Sequence, residues 1–144
     1  MGKWTFELDE LTPSMNTIEF MHWSAKKQMK EYWYMKLRAA ATDVPKCTGR
    51  RRVTIIRYAT TRSLLDQDNF VGGCKQTIVD RLKPKKIVEA VHKSGPRKGE
   101  RVHSVSLGLG LIPEDDLQSV EVIYLQEAVE RKAEHRTEIT LEDI

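Results

Sequence analysis

Residues 51–59 constrain the fold more than any other part of the chain. Their sequence, Arg-Arg-Val-Thr-Ile-Ile-Arg-Tyr-Ala, is rich in β-branched residues, which favour extended strands. The segment therefore predicts a central β-strand. The elements on either side of it then determine the fold class.

Three further strands and two helices are predicted around this strand. Alternating or β-branched patterns indicate strands at residues 3–9, 120–125 and 136–141. Apolar residues at helical spacing indicate helices at about 17–41 and 69–83, the second with Phe70, Cys74, Ile78 and Leu82 repeating every four positions. The order β-α-β-α-insertion-β-β predicts an α+β fold, a small mixed four-stranded sheet packed with two main helices.

Residues 84–109 do not fit either pattern and are predicted to be an insertion. They are basic and contain glycine, which suggests a mobile loop or a small excursion over the surface. One short helix at 87–92 is possible within them. Because 144 residues is the size of one domain, we predict a single domain at 1–144 that carries this basic insertion at about 84–109.

Several classes of protein are disfavoured by the sequence. No apolar run approaches the roughly 20 residues that cross a bilayer, and the N-terminus lacks the apolar core of a signal peptide. Cys47 and Cys74 have no second cysteine or histidine at zinc-ligand spacing. We therefore expect a cytoplasmic protein with two reduced thiols, no membrane partner and no nucleotide cofactor.

Basic residues are distributed unevenly. The net charge is only +3, but lysines and arginines cluster early in the chain, at 50–52 and in the insertion, while acidic residues gather from Glu114 onward. This segregation suits a polyanionic partner, although solvated surface is the alternative. The run at 50–52 could guard a sheet edge or contact phosphates. The candidates for nucleic-acid binding are Lys26, Lys27, Arg62, Asn69, Lys85 and Lys86.

Asp66 and Asp68 are the first candidate metal ligands. They lie two residues apart in a strand-to-helix connection, where extended geometry would place both side chains on one side. A hard cation such as Mg²⁺ prefers oxygen ligands and keeps several waters, so two or three carboxylates suffice. The alternative is helix capping, with Asp68 or Asn69 as the N-cap residue.

Asp115 and Asp116 form the second candidate group. Adjacent carboxylates in a turn are common on protein surfaces, so a turn without function is the alternative for this pair. Both acidic groups, however, lie at ends of predicted elements that a small sheet could bring together.

Lys75 could complete such a site. It follows Asp68 by seven residues, and two helical turns return it to nearly the same face. Gly72 lies between them, so the lysine could reach back over bare backbone toward a phosphate. The alternative for Gly72 and Gly73 is close packing of the helix against a neighbour.

These motifs together resemble the RusA family of Holliday junction resolvases. The resemblance rests on Asp-Gln-Asp-Asn-Phe-Val-Gly-Gly-Cys-Lys at 66–75, Asp80, Gly-Leu-Ile-Pro-Glu-Asp-Asp at 110–116 and the Pro-Ser-Met-Asn turn at 13–16. It covers about residues 4–142, with 84–109 added relative to the shortest members.

The resemblance implies an α+β fold, a homodimer, and Mg²⁺-dependent nicking of symmetric strands at four-way junctions, with Mn²⁺ as a possible substitute. Asp66, Asp68 and Asp116 would be the essential acids, with Asp115 in support. Lys75 would be the essential lysine, although in compact members that lysine follows the second aspartate by four residues, where this chain has Gly72. The other hypotheses are a DNA-binding protein that does not cut, and a structural or phage-packaging accessory whose acids only cap helices.

Overall fold

A computed structural model describes residues 2–114 and 120–144, with only the backbone described at 88, 90 and 102–104. The first part of the chain mixes strands and helices and the last part is mainly strands, with a π-helical segment at Lys75–Val79 and two short 3-10 turns at Thr61–Ser63 and Lys132–Glu134. The strands and helices are β1 (Lys3–Leu8), α1 (Met15–Glu19), α2 (Trp23–Ala40), β2 (Arg51–Thr60), α3 (Gln67–Cys74), α4 (Asp80–Leu82), β3 (Pro84–Val91), β4 (Arg101–Leu109), β5 (Val120–Val129) and β6 (Arg136–Asp143).

Four strands form the main sheet in the order β1-β6-β2-β5. β6 runs antiparallel to both β1 and β2, whereas β2 and β5 are parallel, with Arg51 paired to Val120 and Thr60 to Val129. Parallel neighbours need a crossover, and the α3–α4 run is part of the chain between them. The predicted α+β class, with a small mixed four-stranded sheet and β2 inside it, is therefore confirmed.

The core lies between one face of this sheet and the helices. Every second residue of β2 is buried, from Arg51 to Ala59, and β6 shows the same alternation. Helix α2 contributes Trp33 and Leu37 to the same apolar cluster, and the α3–α4 run adds a larger set. That set is Phe70, Cys74, Ile78, Val79 and Leu82. The apolar residues that repeat every four positions in this helix form the face that packs on the sheet.

The helix predicted at 17–41 is two helices. Ser14 caps α1 by accepting a hydrogen bond from the Thr17 N–H, and α2 begins anew at Trp23, where the His22 side chain accepts from Ser24 N–H. No proline or glycine lies at the break, which is why apolar periodicity alone predicted one continuous helix. Across residues 2–114 and 120–144, no helix is long and apolar enough to span a bilayer.

The helix predicted at 69–83 begins earlier and is interrupted by the π-helical segment. The Thr77 hydroxyl donates to the Gly73 carbonyl oxygen at 2.7 Å, a side-chain bond to the preceding turn that disturbs regular helical bonding. A π-helix has about one residue more per turn than an α-helix. The side chains that follow Lys75 therefore point in different directions from those of an uninterrupted α-helix.

The insertion is a β-hairpin, so the helix predicted at 87–92 is wrong. β3 pairs antiparallel with β4 from Pro84 opposite Leu109 to Val91 opposite Arg101. The apolar alternation of β3 is diluted by charged residues and begins at a proline, which hid the strand from pattern reasoning.

Arg51 and Arg52 neither guard an edge nor face solvent freely. β2 is an inner strand, and the Arg51 side chain is only 2% exposed. Its guanidinium donates to the Asp143 carboxylate and to the carbonyls of Pro45 and Leu111. Arg52 pairs with glutamates of β5 and β6 on the other face. The edge-guard interpretation is therefore wrong for both arginines, and a phosphate contact is wrong for the buried Arg51. For Arg52, a phosphate contact stays a prediction.

Candidate functional site

Two predicted acidic residues lie at the start of α3. Asp66 is the N-cap residue, with φ −65° and ψ 160°, and its Oδ2 accepts from the Asn69 N–H at 3.4 Å. Asp68 lies in the first turn, and both carboxylates are exposed. The predicted N-cap at Asp68 or Asn69 is therefore wrong by two or three residues. The consequence is that Asp66 performs the capping, which leaves Asp68 without that role.

Asn69 joins this helix start to α1. Its Nδ2 donates to Asp66 Oδ1 at 2.7 Å, and its Oδ1 accepts from the Asn16 N–H at 2.9 Å. The side-chain hydrogen bond from Asn69, followed by its backbone hydrogen bond, lowers the pKa of Asp66 below its ordinary value. Asp66 is therefore an anion at neutral pH. The predicted contact between Asn69 and nucleic acid stays a prediction.

The connection that leads into α3 is anchored by two side chains from the sheet. Gln126 on β5 accepts from the Leu65 N–H at 3.1 Å and donates to the Leu65 carbonyl at 2.7 Å, as a neighbouring strand would. Arg57 on β2 is buried and donates to the carbonyls of Thr12 and Ser63 and to Gln126 Oε1. Asp66, the next residue after Leu65, is thus held relative to the sheet by groups that composition could not reveal.

We expect the Gln126→Leu substitution to loosen this anchor. It leaves the Leu65 amide groups and one Arg57 donor without their partner, which should lower the free energy of unfolding by about 1–3 kcal/mol. Urea denaturation measures this change, and Gln28→Leu at an exposed position of α2 is the matched control. Gln126→Glu keeps the acceptor oxygens and should fall between the two. Equal stability of Gln126→Leu and the control would contradict the anchoring role.

Glycines 72 and 73 allow α1 to pack directly on α3. A Cβ atom on Gly73 would lie 1.9 Å from the Pro13 carbonyl oxygen, and one on Gly72 would lie 2.8 Å from the Met15 side chain. The packing interpretation of these glycines is thus confirmed, and the bare backbone path predicted over Gly72 is wrong because Met15 fills it. Lys75 itself is exposed at the start of the π-helical segment.

The second acidic pair, Asp115 and Asp116, lies outside the described residues. On one side of it, the Ile112 N–H donates to the Leu82 carbonyl, and on the other side Val120 pairs with Arg51. The prediction that this pair joins Asp66 and Asp68 stays a prediction. Within residues 2–114 and 120–144, no three histidine, cysteine, aspartate or glutamate side chains converge into a group able to hold a metal ion.

The remaining predicted DNA contacts lie on three different elements. Arg62 is exposed in the 3-10 turn four residues before Asp66, whereas Lys85 and Lys86 are exposed on β3. On α2, Lys27 is exposed and Lys26 is half-buried. Of these residues, only Arg62 lies in the connection between β2 and α3 that also positions Asp66.

Cys74 is excluded as a thiolate ligand or nucleophile. Burial raises the pKa of its thiol to about 12, and its closest polar contact is the Thr12 hydroxyl at 3.6 Å. Both Cys74 and the half-buried Cys47 are free. The charged donors that Asp66 and Asp68 present at the start of α3 are carboxylate oxygens, the donor type that hard divalent cations prefer.

Comparisons with protein-family models and with curated proteins return no match to this chain.

Proposed function

We propose that this protein is a Mg²⁺-dependent endonuclease that nicks four-way DNA junctions, and that it acts as a homodimer in the cytoplasm, with Mn²⁺ able to replace Mg²⁺. The observation that carries the proposal is the pair of exposed carboxylates, Asp66 and Asp68, on the first turn of α3. Asn69, Gln126 and the α1 contact hold this turn, so the two acids have a defined position. Their oxygens are the donor type that Mg²⁺ takes, usually from one or two protein carboxylates together with phosphates and water.

In this proposal Asp66, Asp68 and Asp116 hold the cation and Asp115 supports them. The bound metal would polarise the scissile phosphate and lower the pKa of a bound water. Asp66 is suited to its part because its hydrogen bonds from Asn69 keep it ionised. Lys75 is exposed seven residues beyond Asp68, and in this proposal it approaches the developing negative charge past Met15 rather than over bare backbone at Gly72.

The length of the chain permits Asp116 to join the first two acids. Val120 precedes Gln126, which binds Leu65, by six residues, or about 20 Å along β5. Asp116 precedes Val120 by four residues, which reach about 14 Å when extended. Turned back along β5 at full extension, this reach leaves at least about 6 Å, a gap that two aspartate side chains meeting at one cation would have to bridge.

Homodimer symmetry matches the substrate. A four-way junction is approximately two-fold symmetric, so two identical active sites can cut two opposed strands. Cleavage by a dimer would therefore release two nicked duplexes of equal size from a symmetric junction.

A DNA-binding protein that does not cut is the second candidate. The observation that favours it is the capping role of Asp66, because both oxygens of that carboxylate are hydrogen-bonded within the protein and would be retained for stability alone. Asp68 discriminates between the two candidates, since it does not cap the helix and an exposed acid near phosphates weakens binding.

The proposal is tested with a labelled four-way junction and a linear duplex of the same sequence, each incubated with Mg²⁺ or with EDTA. We expect Mg²⁺-dependent, symmetric nicks in the junction and little cleavage of the duplex. Tight binding of the junction without product in Mg²⁺ or Mn²⁺ would support the non-cutting candidate. Absence of binding at low salt would reject both and leave acids that only cap helices.

A further inference from the structure

The β3–β4 hairpin projects from the body of the protein. All the described side chains of β3 are exposed, as are residues 93–101. The base is attached firmly: Gly110 N–H donates to the Lys83 carbonyl at 3.1 Å, and a Cβ atom on Gly108 would lie 2.0 Å from that same oxygen. We call this hairpin, residues 84–109, the arm, and its fixed end at Lys83 and Gly110 the root.

An isolated two-stranded ribbon of this kind gains stability when something covers it. Ribbons of two strands are only marginally stable alone in water. Here Ile87 and Val105 face each other across the strands and are 62% and 51% exposed, and Val91 is 54% exposed. No described residue of the chain covers these three side chains.

The charge of the arm indicates what covers it. Residues 84–109 contain six basic and two acidic residues, which leaves 18 basic and 19 acidic residues in the remainder of the chain. The whole net positive charge therefore resides in the arm, on a body that is close to neutral. A polyanion is the complementary partner.

The tip presents its charges from a defined turn. Gly95 and Gly99 have φ of +83° and +90°, which side-chain-bearing residues rarely adopt. The backbone N–H of His92 donates to the Glu100 carbonyl, and the backbone carbonyl of His92 accepts from the Gly99 N–H, each at 3.0 Å. Arg97 and Lys98 are exposed between these bonds, at the outermost point of the ribbon.

We propose that the β3–β4 hairpin is a DNA-binding arm that lies in the major groove of a duplex, with Arg97 and Lys98 on phosphates. A major groove about 12 Å wide admits a two-stranded ribbon. The eight residues of β3 extend about 26 Å, less than one helical turn of about 34 Å. The root lies some 16 helical residues, about 24 Å, from Asp66. The arm would thus contact the duplex beside the proposed cut. The inference that its partner is DNA rests on the proposed function.

The chain contains its own matched control for this proposal. Arg-Lys-Gly-Glu at 97–100 and Arg-Lys-Ala-Glu at 131–134 have the same charges, and each arginine approaches the glutamate three residues later, at 4.0 and 3.3 Å. We compare Arg97→Gln/Lys98→Gln with Arg131→Gln/Lys132→Gln by fluorescence anisotropy, with a labelled 30-bp duplex and a four-way junction, in EDTA at several salt concentrations.

We expect the first variant to bind both DNAs at least about tenfold more weakly at 0.1 M salt, with the slope of log affinity against log salt reduced by about 1.8, because two phosphate contacts are lost. The second variant should bind as the unaltered protein does. Equal weakening in both variants would overturn the proposal, because general charge would then account for it. A variant at 97 and 98 that sediments as a monomer while the unaltered protein is a dimer would also overturn it, in favour of a dimer contact.

The assay separates failure of this inference from failure of the proposed function. If the unaltered protein binds the junction but does not cut it in Mg²⁺, the proposed nuclease fails while the difference between the two variants still supports the arm. If the junction is cut and the two variants bind alike, the arm fails and the nuclease stands. If the unaltered protein binds no DNA, both fail.

Discussion

Asp68→Asn is expected to slow Mg²⁺-dependent cleavage of a four-way junction by about a thousandfold, the equivalent of about 4 kcal/mol of metal-mediated stabilisation. The exchange of oxygen for nitrogen removes a carboxylate from the proposed metal site at almost constant shape. Because Asp66 caps the helix, the fold should survive with a loss of at most about 1 kcal/mol from the charge at the helix start. Junction affinity in EDTA should be equal or higher, since one anion near the phosphates is gone.

The matched control for this prediction is Asp43→Asn, which changes an exposed aspartate in the loop between α2 and β2. It should leave cleavage unchanged. Single-turnover cleavage, anisotropy binding in EDTA and circular dichroism together separate chemistry, affinity and folding. Unchanged cleavage by Asp68→Asn, or a loss of folding, would remove Asp68 from the proposed site.

Gly73→Ala should cause the largest loss of stability among small substitutions in the α3–α4 run. Alanine gains about 1 kcal/mol of helix propensity over glycine. The added methyl group, however, would stand 1.9 Å from the Pro13 carbonyl, a backbone atom that cannot swing aside. We expect a net loss of about 3 kcal/mol in unfolding free energy, because the turn before α1 has to move away from α3.

Urea denaturation of Gly73→Ala and Gly49→Ala measures this effect against its control. Nothing lies within 4 Å of a Cβ atom on Gly49, so that variant should be as stable as the unaltered protein or slightly more so. Gly73→Ala should also cleave more slowly than its remaining folded fraction accounts for, because α1 carries the Asn16 amide that binds Asn69. A Gly73→Ala protein of undiminished stability would mean that α1 does not pack as described.

Regular elements were predictable where one physical signal dominated. β2 was evident because β-branched residues concentrate there, and the burial of alternate residues follows the pleat. The break between α1 and α2 was not, because it depends on two local caps, at Ser14 and His22, rather than on a breaker residue. The hairpin was missed since its strands are exposed, and an exposed strand lacks the apolar alternation that reveals a buried one.

The candidate site was predictable in its acids and not in what positions them. The spacing of Asp66 and Asp68 suggested oxygen ligands, but the extended geometry predicted for the pair is wrong, because Asp66 is the N-cap residue of α3 and Asp68 already lies in its first turn. The roles of Arg57 and Gln126 depend on contacts between residues 45 and 61 positions apart in the chain, which local patterns do not encode. The count of basic residues was misleading for Arg51, because its guanidinium is buried and cannot contact a nucleic acid.

The position of β6 has a consequence for how this chain is made. β6 lies between β1 and β2, and it pairs Lys3 with Glu142 across almost the whole length of the chain. A ribosome delivers residues in order at about 5–20 per second, so β1 and β2 emerge seconds before the strand that joins them. Until then β1 has no sheet partner and β2 has only β5, so the edges that β6 will cover are open to other chains. Completion of the sheet thus waits for the last of its four strands to be made, and yield during rapid expression should depend on chaperones that shield the early strands.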